Sequence, residues 1–246
     1  MIDDRKFHTI VAGLLEDIET TQNSKIKEAG KLISDSLEND GILHVFSTGH
    51  SHMIVEELFY RAGGLVQVNP ILDPALMLHQ GAIKSTRIER LQGYADSIAE
   101  SIDFREGEPI IIASNSGINA VPVEMALAAK KKNLKVVAIT SVNISGSLMP
   151  RHSSGKKLMD IADVVIDNCI KDGDAVMEIP GSDQKIAAVS SIAGMYIAQR
   201  LVIDIVNEFL KKGKRPPVYM SANIPGGDEH NALLVEKYSK RIRGLY

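Results

Sequence analysis

Ten residues restrict the fold of this chain more than any others: Ile110–Asn119, reading Ile-Ile-Ile-Ala-Ser-Asn-Ser-Gly-Ile-Asn. So short and unbroken an apolar run marks a strand buried on both faces, which points to a parallel sheet covered by helices. The run stops abruptly at Ser114, Asn115, Ser116 and Gly117. Val121–Lys132 then reads as a helix, with Pro122 in its first turn and Lys130, Lys131 and Lys132 where the dipole favours cations. A hydroxyl-rich turn between a buried strand and a helix start aims free N–H groups and Ser hydroxyls at one point, a setting suited to an anion. An ordinary capped strand–helix turn has the same local sequence, with Gly117 supplying a positive φ. The rest of the chain decides between them.

The alternation repeats. Phe7–Asn39 carries a helical stripe in two pieces, with the break at Asn23 and Ser24. Strands are predicted at Ile42–Phe46, at Val66–Leu72 (where Pro70 marks an edge or an irregular end), through Ile110–Ala113, at Val136–Thr140 and at Val164–Ile166. Helices follow at Met53–Arg61, Tyr94–Ile102 and Lys156–Ile161. Ile170–Pro180 is a small hairpin or a long loop, and Lys185–Lys211 reads as one helix apolar on more than one face. This pattern predicts an α/β fold, a three-layer αβα sandwich on a five-stranded parallel sheet of order 2-1-3-4-5. A single domain over 1–246 is expected, with a helical prelude at 1–40, the core at 41–212, and a tail with a final helix at 213–246. Ligands of such sheets lie at the carboxyl ends of the strands beside the switch in order, between the first and third. The two hydroxyl-bearing turns, Thr48–Ser51 and Ser114–Asn119, follow those same two strands.

Composition narrows the partners. A formal charge of −3 argues against a general nucleic-acid binder. Cys169 is the only cysteine, so no intrachain disulfide forms and no cysteine zinc site exists, which fits a reducing cytoplasm. Met1–Arg5 leads into no apolar segment, so no signal peptide and no membrane anchor are expected. His50 and His52 form a His-x-His pair without an acidic ligand at zinc spacing, so no metal is expected. Neither Gly-x-Gly-x-x-Gly nor a phosphate-loop motif is present, so no nucleotide cofactor is expected; the nucleophile elbow Gly-x-Ser-x-Gly is missing too.

Thr48-Gly49-His50-Ser51 after the first strand and Ser114-Asn115-Ser116-Gly117 after the third resemble the phosphate turns of the sugar isomerase (SIS) domain family. Ser47 stands where that pattern has its first glycine, and Asn119 where its last hydroxyl often sits. The resemblance covers most of the chain. It looks closest to stand-alone phosphosugar-binding proteins related to phosphoheptose isomerase and N-acetylmuramic acid 6-phosphate etherase. It implies a flavodoxin-like SIS fold, no cofactor, and a phosphosugar held by Thr48, Gly49, Ser51, Ser114, Ser116, Gly117 and Asn119. It also implies a sugar-phosphate isomerase moving a proton between C1 and C2. An amino-sugar-phosphate lyase or a non-catalytic phosphosugar sensor remains open.

The resemblance puts the proton-moving glutamate at Glu89, between the second and third strands; a solvated partner of Arg87 or Arg90 is the plain alternative. It also implies a glutamate on the first helix after the sheet begins, where spacing leaves Glu56 and Glu57 undecided and Glu57 is the candidate carried forward. His230, in Gly226–Asn231, joins an acidic pair to a flexible turn and is a third candidate for proton transfer. Arg151 and His152 could pair with acidic neighbours or close over the ligand. Surplus apolar helix surface at Phe7–Asn39 and Lys185–Lys211 leads to the expectation of at least a homodimer.

Overall fold

The computed structural model describes residues 2–245. Met1 and Tyr246, the outermost positions of the expected prelude and tail, lie outside the described residues. In chain order the elements are α1 (Asp4–Leu37), β1 (Leu43–Ser47), α2 (His52–Leu58), β2 (Val68–Ile71), α3 (Ala82–Ile88), α4 (Tyr94–Glu100), β3 (Pro109–Ala113), α5 (Ala120–Lys131), β4 (Lys135–Thr140), α6 (Val142–Ser147), α7 (Leu158–Ile161), β5 (Val164–Asp167), β6 (Ala175–Glu178), β7 (Lys185–Ala188), α8 (Ser190–Lys211) and α9 (Gly227–Tyr238). β1–β5 form one parallel sheet in the order β2-β1-β3-β4-β5, as the alternation predicts.

Side chains alternate across the strands and both faces are covered. Val45, Ile111, Val137 and Ile166 face α1, α2 and α8, while Phe46, Ile110, Ile112 and Val136 face α4 and α5. All eight are fully buried. Each such aliphatic or aromatic side chain contributes about 1.5–3 kcal/mol on leaving water.

α1 is one 34-residue helix and does not break at Asn23 and Ser24. Its buried stripe continues through them as Ile18, Ile26, Ala29 and Ile33, and packing of that stripe against α8 outweighs two weak helix formers. The approach is close enough that a Cβ on Gly30 of α1 would stand 2.9 Å from Cβ of Asp204 on α8. Much of the surplus apolar surface is thus covered within the chain. The expected helix from Lys185 starts instead at Ser190, because Lys185–Ala188 pairs antiparallel with β6 as a hairpin. Asp174 fixes the start by accepting from Val189 N at 3.0 Å, Ser190 N at 2.7 Å and the Ser190 hydroxyl at 2.8 Å. Among the described residues, no helix is long and apolar enough to cross a membrane.

The tail closes the amino ends of the strands. Val218 bridges Leu65, ahead of β2, and Tyr238 and Ile242 pack on Ile42 and Val66. Arg241 reaches Glu108, immediately before β3, at 2.6 and 3.0 Å. The buried Glu108 carboxylate also accepts from Ile42 N at 2.9 Å, Arg105 N at 3.1 Å and His44 Nε2 at 3.1 Å. Burial alone raises its pKa; hydrogen bonds from His44, Arg241 and the Ile42 amide outweigh that and hold it down at about 2.

Candidate functional site

The site lies at the opposite end of the sheet, where β1 and β3 finish. After β1 the chain is extended at Thr48 and turns at Gly49, whose φ of +57° a side chain would resist. After β3, the Ser114 hydroxyl accepts from Gly117 N at 3.2 Å, leaving its own proton free to donate. Gly117 has φ +62°, and a Cβ there would meet Thr140 Oγ1 at 3.1 Å and Leu158 Cβ at 3.2 Å. The carbonyl of Asn115 accepts from Ser141 N at 3.0 Å, and its side-chain oxygen accepts from Asn168 Nδ2 at 2.8 Å. The ends of β4 and β5 therefore brace the turn. Ser47 ties the two turns together, its hydroxyl donating to the Ala113 carbonyl at 2.6 Å. The Ser51 and Ser116 side chains are half-buried and have no hydrogen bond to another described residue.

Glu89 sits between the turns. Oε1 accepts from the Thr48 hydroxyl at 2.9 Å and from Asn119 Nδ2 at 2.8 Å. The Glu89 carbonyl accepts from Val121 N at 3.1 Å, so the end of α3 is docked on the first turn of α5. Oε2 has no partner among the described residues. Thr48 and Asn119, expected on a phosphate, thus hold a carboxylate. Asn119 occupies the N-cap position of α5, yet its side chain makes no capping bond.

Arg151 joins from the loop after α6. Its Nη1 donates to Asn119 Oδ1 at 2.7 Å, and its backbone N–H donates to the Ile118 carbonyl at 3.0 Å. His152 turns away, with Nε2 3.4 Å from the buried Glu124 carboxylate. Glu124 also accepts from Gly93 N at 2.6 Å and Ala95 N at 3.3 Å, covering the exposed donors at the start of α4. Sequence left Arg151 without a defined role; the signal that bore on it was the amide at 119 where a hydroxyl was expected.

Two expected proton carriers are not brought here within one chain. Glu57 accepts from Gln199 Nε2 of α8 at 2.7 Å and pairs with Arg61, just beyond the end of its own helix. His230 lies on α9, its Nε2 3.1 Å from the Val218 carbonyl, at the amino-end side of the sheet where the tail docks. Spacing could not reveal that the tail folds back to that end. Glu56 is exposed, and His52 Nδ1 meets the Gly49 carbonyl beside it.

Two polar turns meet around one carboxylate at the order switch of the parallel sheet of an αβα protein. The chain belongs to the SIS domain family, whose model matches residues 6–141. That stretch holds Thr48, Glu89 and Ser114–Asn119; Arg151 and His230 lie beyond it. A UPF0309 protein of Caldanaerobacter subterraneus is 49% identical over 94% of this chain and 95% of its own. Another, from Listeria innocua, is 42% identical over 95% and 94%. In structure the chain is similar to a phosphoheptose isomerase from Francisella tularensis (TM-score 0.54, 16% identity, 82% of this chain and 96% of that one). It is also similar to Vibrio vulnificus NanR complexed with ManNAc-6P (TM-score 0.51, 13% identity, 95% and 68%). At such identities these two show a shared fold.

Proposed function

We propose that this chain binds a sugar phosphate between the two turns and interconverts its aldose and ketose forms by moving a proton between C1 and C2. The observation that carries the reading is Glu89: a half-buried carboxylate held at one oxygen by residues of both turns, with the other oxygen unengaged. Phosphate is assigned to Ser51, Ser114, Ser116 and the backbone around Gly49 and Gly117, where hydroxyl protons and N–H groups can donate to it. With that end fixed, the open-chain sugar extends toward Glu89. The carboxylate takes the proton from the carbon next to the carbonyl, leaving an enediolate; the proton of the adjacent hydroxyl passes to the former carbonyl oxygen, and Glu89 returns its own proton to the neighbouring carbon. The formula of the sugar is unchanged.

The test is solvent exchange. Arabinose 5-phosphate, mannose 6-phosphate, glucose 6-phosphate and sedoheptulose 7-phosphate are incubated with the protein in D2O, and deuterium at the exchanging carbon is read by mass spectrometry. The parent is expected to exchange at least one of them, and Glu89→Gln to bind it but exchange about 10²–10⁴-fold more slowly. A lyase begins with the same proton but ends with a lost substituent, so product mass separates the two. Binding without exchange in the parent refutes the isomerase reading and leaves a phosphosugar sensor.

A further inference from the structure

The hydrogen bonds around Glu89 run in one direction. A guanidinium can only donate, so Arg151 must face the oxygen of the Asn119 amide, as it does at 2.7 Å. That leaves the nitrogen of the same amide for Glu89, which it meets at 2.8 Å. Reversed, the amide would set its NH2 against the guanidinium and its oxygen against the carboxylate, and both contacts would be repulsive. The Thr48 hydroxyl supplies a second donor to the same carboxylate oxygen at 2.9 Å. Thr48 and Asn119 are nearly fully buried, at 5% and 9% exposure, so neither bond is exchanged readily for water.

Arg151 is itself held in place. Its backbone N–H is bonded to Ile118, and the next side chain, His152, lies against Glu124, which is anchored on Gly93 and Ala95. The loop thus presents a cation to Asn119 from a braced position although Arg151 as a whole is exposed. We infer that Thr48, Asn119 and Arg151 form a positioning set that fixes one oxygen of Glu89 and leaves the other to handle the proton, instead of serving as phosphate ligands. The inference rests on Glu89 being the base. Arg151 acts through Asn119: it sets which end of the amide faces the carboxylate.

The experiment separates binding from chemistry. Sorbitol 6-phosphate, which has no carbonyl and cannot react, measures affinity by calorimetry; deuterium exchange into whichever of the four sugar phosphates the parent turns over measures kcat and KM. Thr48→Val, which keeps the side-chain shape, and Asn119→Ala are each expected to bind sorbitol 6-phosphate within about 3-fold of the parent. Their kcat should fall about 10–100-fold at nearly constant KM, the scale of a misplaced reacting group. Arg151→Ala should slow exchange likewise, and Arg151→Lys, also a pure donor, should restore much of the loss. A purely structural role for Arg151 would not produce that rescue at unchanged affinity. Asn119→Ala losing 10-fold or more in sorbitol 6-phosphate affinity with kcat intact overturns the inference while Glu89 stands as the base. So does a set of variants with both quantities unchanged. A parent that exchanges no sugar, or a Glu89→Gln that exchanges as fast as the parent, fails at the level beneath, and the positioning role falls with it.

Discussion

Glu108→Gln tests how much of the fold depends on the carboxylate that joins the tail to the sheet. The side chain is 5% exposed and accepts five hydrogen bonds, two of them from Arg241. An ordinary glutamate titrates near 4.5, and this one is held at about 2. The difference corresponds to about 3 kcal/mol of stability at neutral pH. Because the folded-state pKa is depressed, that stability is fully present above pH 4.5 and is lost as the pH falls from there through about 2. Glutamine keeps the shape but has one acceptor oxygen, and its NH2 must face a donor on Arg241 or His44. The substitution is therefore expected to cost about 3 kcal/mol at pH 7, in the range for breaking a mostly buried ion pair. Urea unfolding followed by circular dichroism, parent against variant at pH 7, 5, 4 and 3, measures it. The gap should narrow to about 1 kcal/mol near pH 3, because the unfolded parent's carboxylate takes up a proton there while the folded one stays ionised. A gap below 1 kcal/mol at pH 7, or one equal at pH 7 and pH 3, would refute the assignment of that stability to the ionised Glu108.

Replacing Ser114 and Ser116 together by alanine is expected to weaken sorbitol 6-phosphate binding by about 2–5 kcal/mol, the loss of two charge-assisted hydrogen bonds, and unchanged calorimetric affinity with an intact fold would move the phosphate elsewhere. Gly117→Ala places a Cβ at φ +62° against Thr140 and Leu158, so thermal unfolding should show a loss of about 1–3 kcal/mol; a neutral result would mean the turn relaxes freely. Ile203 and Leu210 stay exposed on α8, at 49% and 58%. Sedimentation at micromolar concentration is expected to show a dimer that Ile203→Glu weakens, and a parent that sediments as a monomer counts against it.

The strand order was legible because a buried parallel strand has an unmistakable pattern: Ile110–Ala113 has no polar residue to place on either face. The turns were legible for the same reason, since hydroxyls and glycine begin where that strand ends. Less could be read where tertiary contacts decide. Asn23 and Ser24 are weak helix formers in isolation, but α8 holds their neighbours Ile18 and Ile26 in one stripe. Ile186 and Val189 fit a helical stripe, yet Asp174, 16 residues before Ser190, sets where α8 begins. The family resemblance pointed to Glu89, but which groups hold it could not be read. Those bonds join residues 41, 30 and 32 positions apart, and no local pattern encodes them. His230 shows the converse: a chemically apt residue in an apt turn, carried to the other end of the sheet by the fold of the tail.

The bond from Val121 N–H to the Glu89 carbonyl ties two parts of the site together. It fastens the carboxylate-bearing end of α3 to the first turn of α5, so the span between Glu89 and the Ser114–Gly117 turn does not stretch unless that helix start is uncapped. On the proposed function such a span would work as a ruler along the ligand: a carbon chain of one length would bring its second carbon to the carboxylate, and a chain one carbon shorter or longer would present the wrong atom. Selection by length would then appear in turnover more than in affinity, because the charged end is gripped the same way in every case. The Val121 amide is a natural NMR reporter of that span: its hydrogen exchange should slow whenever a ligand fits between the two ends.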